Sequence, residues 1–266
     1  MFRTCFRLAL LSCLAGCGGQ YRLASPDQLA EPAGEALTIA RLTRQEVYLL
    51  DLPVKNALLR FYIASEQQQA SQRAAFSDSE GCASAAVPVP DKPGVHSIVI
   101  THQDIDGKVV WTQVPLYVWP ADSALVAVEI EAIPTCGENA EHARAALNEL
   151  STSRKVVYLT TKSLRHHHKL HSRLANENLP AGPIVAWTPE QITPGQAEPL
   201  SEIRRMFPNL TAGICASRKS AKALQSAGLE AMTTQTGADW PGVSAVGWQD
   251  MPGRLSASPV RHGEGD

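Results

Sequence analysis

Between Tyr158 and His171 the chain reads YLTTKSLRHHHKLH, and four of its eight histidines fall within six positions: His166, His167, His168 and His171. Imidazole is a common ligand for Zn2+, Cu2+ and Ni2+, and residues four apart share one face of a helix. His167 and His171 are therefore a candidate metal pair. A firm site needs a third or fourth ligand, and no HEXXH motif supplies one. The competing expectation is a solvated cationic helix face. On that face Arg165, Lys169 and Arg173 would meet anionic lipid headgroups while the histidines carry little charge at neutral pH.

The elements around this segment alternate in type from Ala124 onward. ALVAVEIEAI reads as a strand, and 138–150 as a helix with Ala143, Ala146, Leu147 and Leu150 on its apolar face. KVVYLTT is a second strand, SLRHHHKLHSRLANEN a second helix and PIVAW a short third strand. SEIRRMF, LTAGICA, SAKALQSAG and LEAMTTQ continue the run. Strand and helix alternating through short connections predict a parallel α/β sheet. Upstream, ALTIARL, EVYLLDL and ALLRFYIA are β-like, and 66–94 is polar and turn-rich. HSIVITHQ and KVVWTQVPLYVW flank an Asp-Gly turn, a hairpin pattern.

The turn itself, Asp104-Ile105-Asp106-Gly107, resembles the Asp-x-Asp-Gly-Thr nucleophile motif of haloacid dehalogenase-like (HAD) phosphatases. Lys108 replaces the threonine, and a β run follows where that family has a helix-forming segment. A turn is the better reading. Together with Pro93-Gly94, the hairpin resembles the late strands of an immunoglobulin-like (Ig-like) sandwich.

A second resemblance lies further on. Tyr158-Leu159-Thr160 and Leu179-Pro180-Ala181-Gly182-Pro183, followed by FPNLTAGICASRKSAKALQSAGLE, are similar to the lipin-type phosphatidate phosphatase domain of the HAD superfamily, over about 124–236. The resemblance implies a phosphate-holding hydroxyl at Thr160 and places the two catalytic aspartates on Glu129 and Glu131. It also shows departures. Ala132 and Ile133 stand where the family has Gly-Thr, and Ala216 and Ser220 where it has Asn and Asp. No lysine precedes Glu202 where the family has its phosphate-neutralising one; Arg204, Arg205 or Lys219 would have to substitute, and none is registered there. Glutamate moves a carboxylate by about 1.5 Å, and a misplacement of about 1 Å can cost about 10²-fold in rate. The implied domain is a degenerate, inactive copy, with no cofactor expected, or Mg2+ if it is active.

The chain opens MFRTCFRLALLSCLAGCGG, with Arg3 and Arg7 before a short apolar run. That is the form of a secretory signal and is too short to span a membrane. Leu14-Ala15-Gly16-Cys17 resembles the bacterial lipobox, which implies cleavage before Cys17 and its lipidation. Gly18, where aspartate would favour inner-membrane retention, points to the outer membrane. Net charge is −2, so no basic field suggests nucleic acid. Cys82, Cys136 and Cys215 have neither disulfide-framework nor zinc spacing.

The expected fold class is an α/β HAD-like (Rossmannoid, parallel-sheet) C-terminal domain preceded by a small all-β Ig-like sandwich. The expected boundaries are a signal peptide at 1–16, a tether at 17–35, the sandwich at 36–120, the α/β domain at 121–250 and a tail at 251–266. The expected function is that of a membrane-anchored envelope lipoprotein acting in binding or structure, its protein or lipid ligand unspecified. A Mg2+-dependent phosphohydrolase of phosphate monoesters or phosphatidate and a periplasmic metal-binding protein are the alternatives.

Overall fold

The computed structural model describes residues 20–46, 50–64, 72–163, 166–187, 199–235 and 237–256. Its contacts divide the chain into two units. The first takes the chain up to Ser25 with Leu37–Val87 and Ser97–Val114. The second takes Pro26–Ala36, Pro88–His96 and the chain from Pro115 onward. The expected signal peptide and most of the expected tail lie outside the described residues, and so does Cys17.

The amino-terminal part is built of strands: β1 (Gln20–Ala24), β2 (Gln28–Ala30), β3 (Glu35–Glu46), β4 (Leu50–Pro53), β5 (Leu58–Ile63), β6 (Arg73–Phe76), β7 (Cys82–Pro88), β8 (Gly94–Gln103) and β9 (Val109–Val118). In the first unit β1, β3 and β4 form one antiparallel run, with β7 also on β3. A second run is β9-β8-β5-β6, in which Leu59 stands opposite His102 and Leu58 opposite Phe76. Side chains alternate across each strand. Leu59, Phe61 and Ile63 of β5 and Ile98 and Ile100 of β8 are buried. The Asp104–Gly107 motif is a turn. Asp104 N–H donates to the Lys108 carbonyl, and the Asp104 carboxylate accepts from Asp106 N–H and Lys108 N–H. Gly107 has φ +81°, a left-handed conformation that glycine adopts without a Cβ clash.

The second unit holds a six-stranded sheet: β10 (Leu125–Glu129), β11 (Lys155–Thr160), β12 (Ile184–Ala186), β13 (Leu210–Cys215), β14 (Glu230–Thr233) and β15 (Val243–Ala245). Its order is β12-β11-β10-β13-β14-β15 with parallel pairing. The helices are α1 (Glu138–Ser151), α2 (His167–Asn176), α3 (Pro199–Met206), α4 (Arg218–Ser226) and α5 (Met251–Ser256), with a 3-10 turn at Ile130–Ala132. β10 is buried along its whole length because both faces are covered. Val126 and Val128 pack with Ala143, Leu147 and Leu150 of α1, Leu170 and Leu174 of α2, and Met251 and Leu255 of α5. Leu125 and Ala127 pack on the other face with Ile203 and Phe207 near α3 and Leu224 of α4. Each such apolar side chain contributes about 1.5–3 kcal/mol on full burial.

The expected fold class is corrected. Strands take 41% of the described residues and helices 25%, the balance of a sheet-dominated chain rather than a helix-rich HAD-like domain after a small sandwich. Two of the three sheets are antiparallel or mixed. Two strands, β6 and β7, lie in the stretch read as polar loop, where apolar signals are weak. CASAAVP (β7) alternates buried Ala83, Ala85 and Val87 with more exposed neighbours, and alanine is too small to mark that period in a sequence. Residues 20–24 and 28–30, read as tether, are β1 and β2; β2 pairs in parallel with Leu116–Val118 of β9. Residues 251–256, read as tail, are α5.

Gly182 marks a tight contact in the second unit. A Cβ there would collide with the Val156 carbonyl oxygen of β11 and crowd the Tyr158 ring. Tyr158 meanwhile donates its N–H to the Pro183 carbonyl and its hydroxyl to the Pro180 carbonyl at 2.8 Å. Gly182→Ala is expected to cost about 1–3 kcal/mol, as overpacking does, read as a lower urea midpoint with an unchanged slope.

Candidate functional site

The strand order of the six-stranded sheet reverses at β10, from which the chain runs first to β11 and β12 and later to β13. In open parallel sheets the crevice beyond the carboxyl ends at such a point is where ligands bind. Glu129, Thr160 and Cys215 end β10, β11 and β13 there, and Glu131 follows on the 3-10 turn.

Glu129 is 3% exposed, and both of its oxygens are engaged. Oε2 accepts from the Ala216 N–H at 2.6 Å and Oε1 from the Ser220 hydroxyl at 2.8 Å. Ser217 caps α4, its hydroxyl accepting from Ser220 N–H at 3.1 Å and lying 2.7 Å from the Ser220 hydroxyl. A carboxylate is thus seated at a helix amino terminus, where the macrodipole favours negative charge. Burial nonetheless raises the Glu129 pKa above the carboxylate norm. The Ala216 and Ser220 hydrogen bonds oppose the rise, and the neighbouring Glu131 charge adds to it.

Glu131 Oε1 accepts from the fully buried Thr160 hydroxyl at 2.9 Å, and Thr160 Oγ1 in turn accepts from Lys162 N–H at 3.1 Å. Glu131 Oε2 is buried without a hydrogen-bond partner. The turn that carries Glu131 is held from α2. Arg173 donates to the Ile133 carbonyl at 2.8 Å and the Ile130 carbonyl at 3.3 Å, and pairs with Glu177 at 2.9 Å. Arg173 therefore faces inward and does not belong to a cationic surface face, while Arg165 lies outside the described residues.

The histidines are likewise not one solvated face. His167 is 6% exposed, on the same side of α2 as Leu170 and Leu174, with neither ring nitrogen hydrogen-bonded. Burial pushes its pKa down to about 4, so it is neutral at pH 7. His171 Nε2 lies 2.9 Å from Asp27 Oδ1, and the hydrogen bond to that carboxylate raises its pKa. Asp27 Oδ2 accepts from Ile184 N–H at 2.7 Å. His166 Nδ1 lies 3.1 Å from the Ser163 hydroxyl, and His168 is exposed. Among the described residues no group of three or more His, Cys, Asp or Glu side chains gathers as a metal cage.

Glu129, Glu131, Thr160 and Ser220 thus come together, and His167 and His171 form a separate group with Asp27. Arg204 donates to the Ala227 carbonyl at the far end of α4, away from the carboxylates. Lys219 is exposed in the first turn of α4. Cys215 is a buried thiol pushed up to about 12, first by burial, and it donates to the Met232 carbonyl. Among the described residues Cys82, Cys136 and Cys215 form no disulfide. Asp27 and the Ala216 N–H were missed in the sequence. Ser217, directly before a helical pattern, was the available signal for a helix start at this point.

No family model matches the chain, and no curated protein matches it. Among solved structures it is similar to PhoD, with 8% identity and a TM-score of 0.33, over 70% of this chain and 44% of that one. A family 39 glycoside hydrolase from the gut symbiont Bacteroides cellulosilyticus WH2 gives 10% identity and 0.27, over 80% and 43%. Murine CRIg gives 11% and 0.21, over 38% and 97%. The chain spans less than half the length of the first two. Likeness at this level carries no argument about fold or activity.

Two outcomes are expected from the site. Glu129→Ala leaves the Ala216 N–H and Ser220 hydroxyl without their acceptor and should cost about 1–3 kcal/mol in urea unfolding. Because the folded pKa of Glu129 is raised, its penalty to wild-type stability grows as pH rises from the ordinary carboxylate value through the folded one. Glu129→Gln should therefore gain on wild type as pH rises from acid to neutral. The second outcome concerns the histidines, followed by NMR. His171 should titrate above 6.5, its stabilising contribution complete below that value and lost as pH rises through its own pKa. His167 should stay neutral until about pH 4, its contribution present above 6.5 and lost as pH falls. A shared midpoint near 6.5 would contradict the Asp27 pairing and the burial.

Proposed function

We propose that this chain is a lipid-anchored envelope protein that acts by binding or as structure, without turning over a phosphate ester. Anchoring rests on Leu14-Ala15-Gly16-Cys17. Only a cysteine thiol can take the thioether-linked diacylglycerol, and several acyl chains at about 0.8 kcal/mol per buried CH2 hold a protein at a bilayer. The outer membrane, facing periplasm or surface, is the favoured location.

One observation carries the non-hydrolytic part. Glu129, the side chain a phosphoryl-transfer reading needs as nucleophile, has both oxygens committed to Ala216 and Ser220. A nucleophile must be free to reach phosphorus; Glu129 is held at both oxygens by groups of the chain, and burial raises its pKa. The alternative is hydrolysis of phosphate monoesters or phosphatidate by Glu129, Glu131 and Thr160 with Mg2+, supported by their convergence beyond the sheet. The donor set does not fit that ion. Both Glu129 oxygens and Glu131 Oε1 already accept hydrogen bonds within the chain, and the Thr160 and Ser220 oxygens accept from Lys162 N–H and the Ser217 hydroxyl, which leaves Glu131 Oε2 as the one unengaged carboxylate oxygen of the pair. Mg2+ demands octahedral oxygen ligation, with one or two carboxylates plus water or phosphate, so no step is assigned to it.

The test pairs two readouts on the full-length protein. Radiolabelled palmitate should be incorporated and lost in Cys17→Ser. The purified protein should release no phosphate from p-nitrophenyl phosphate or phosphatidate with Mg2+. Mg2+-dependent release that disappears in Glu129→Gln would overturn the non-hydrolytic reading, and an unlabelled wild type would overturn the anchor.

A further inference from the structure

Two of the four clustered histidines stand where a plain helix face does not need them. His167 is 6% exposed, yet neither of its ring nitrogens has a hydrogen-bond partner. A polar group left unmatched in a native interior calls for a reason, and a bound ion is one. A leucine at this position would continue the Leu170–Leu174 stripe with no such cost.

His171 lies one turn further along α2 and is held by a buried carboxylate. Its Nε2 is 2.9 Å from Asp27 Oδ1, and Asp27 Oδ2 is fixed in turn by the Ile184 N–H at 2.7 Å. With Nε2–H donated to the carboxylate, the lone pair of the neutral ring sits on Nδ1. Metal-ligating histidines are commonly backed in this way, because the carboxylate fixes the tautomer and ring orientation and makes the imidazole a stronger donor. Residues four apart share one side of a helix, the spacing at which two imidazoles hold one ion in HEXXH helices. We propose that His167 and His171 bind one divalent late transition-metal ion, with Asp27 as the positioning residue behind His171.

The donors select the class of ion. Imidazole nitrogens suit Cu2+, Ni2+ and Zn2+, whereas Mg2+ and Ca2+ take oxygen ligands, and affinity along the divalent series peaks at Cu2+. Among the described residues no third His, Cys, Asp or Glu side chain completes a cage, so the other coordination positions belong to water or to an added ligand. The His171 side chain is 33% exposed against 3% for Asp27, which makes the His171 ring the entry from solvent. His166 and His168 stand apart from the pair: His166 Nδ1 lies 3.1 Å from the Ser163 hydroxyl, and His168 is exposed.

The experiment titrates the full-length protein, without a histidine tag, with Cu2+ and follows it by calorimetry and electron paramagnetic resonance. The first ion should bind one per chain and show coupling to two imidazole nitrogens. In variants whose circular dichroism matches wild type, Asp27→Asn should weaken binding about 10–100-fold, and His167→Phe should remove the two-nitrogen signal. Replacing His166 and His168 together by glutamine should leave the affinity unchanged. A measurement on the wild type alone needs no variant to fold: substoichiometric Cu2+ should broaden the ring resonances of His167 and His171 before those of His166 and His168. The opposite order of broadening would mark an adventitious ion on the exposed histidines and overturn the site. Absence of stoichiometric binding would overturn it too, and an affinity indifferent to Asp27→Asn would remove the positioning role of Asp27.

Discussion

A carboxylate buried at the end of a parallel strand has to be matched where it stands, and Glu129 is matched by the start of a helix. The Ala216 N–H and Ser220 hydroxyl take its two oxygens, joining β10 to the β13–α4 connection across the point where the strand order reverses. Ser217 secures the same helix start, and Thr160 holds the adjacent Glu131 from β11. Three strand ends are thereby fixed to one another by side chains rather than by ladder bonds alone. Breaking the Glu129 contacts would leave buried donors unmatched, which costs more than a hydrogen bond contributes.

A second buried carboxylate works in the same way further along the sheet. Asp27 ties the Pro26–Ala36 segment to the backbone of β12 and to α2, through Ile184 N–H and His171. It also helps raise the Tyr117 pKa, after burial. On α2, Arg173 reaches back to the turn carrying Glu131. His171 and Arg173 of α2 are therefore spent inward, and the four neighbouring histidines divide into buried, paired and exposed members.

What could be read from the sequence was what local chemistry decides. The Asp104–Gly107 turn needs an acceptor at its first residue and a left-handed conformation at Gly107, and both requirements are visible in four letters. The apolar face of α1 was visible because Ala143, Ala146, Leu147 and Leu150 keep helical spacing. β7 was not, because its buried positions are Ala83, Ala85 and Val87 and the contrast with their neighbours is small. His167 was misread for a different reason. It falls on the Leu170–Leu174 stripe, but a histidine on a stripe counts as polar until its neutral state is considered. Asp27 gave no local signal at all, since its partners lie more than a hundred residues away.

Glu129, Glu131 and Thr160 come together at the strand ends, and the chemical meaning of that group is set by what surrounds it. A helix start is an anion site because its N–H groups are unmatched, and here the chain supplies its own anion. An external phosphate would have to displace Glu129 from two donors or sit beside it. Two like charges about 4 Å apart repel by about 4 kcal/mol at an effective dielectric of about 20, on the order of a thousandfold in affinity. Protonating Glu129, which its raised pKa brings closer, would lift that repulsion but also remove the charge a nucleophile needs. The contact that joins the strand ends at the sheet's crevice is thus the one that fills it, and an anion from outside would compete there with the chain's own.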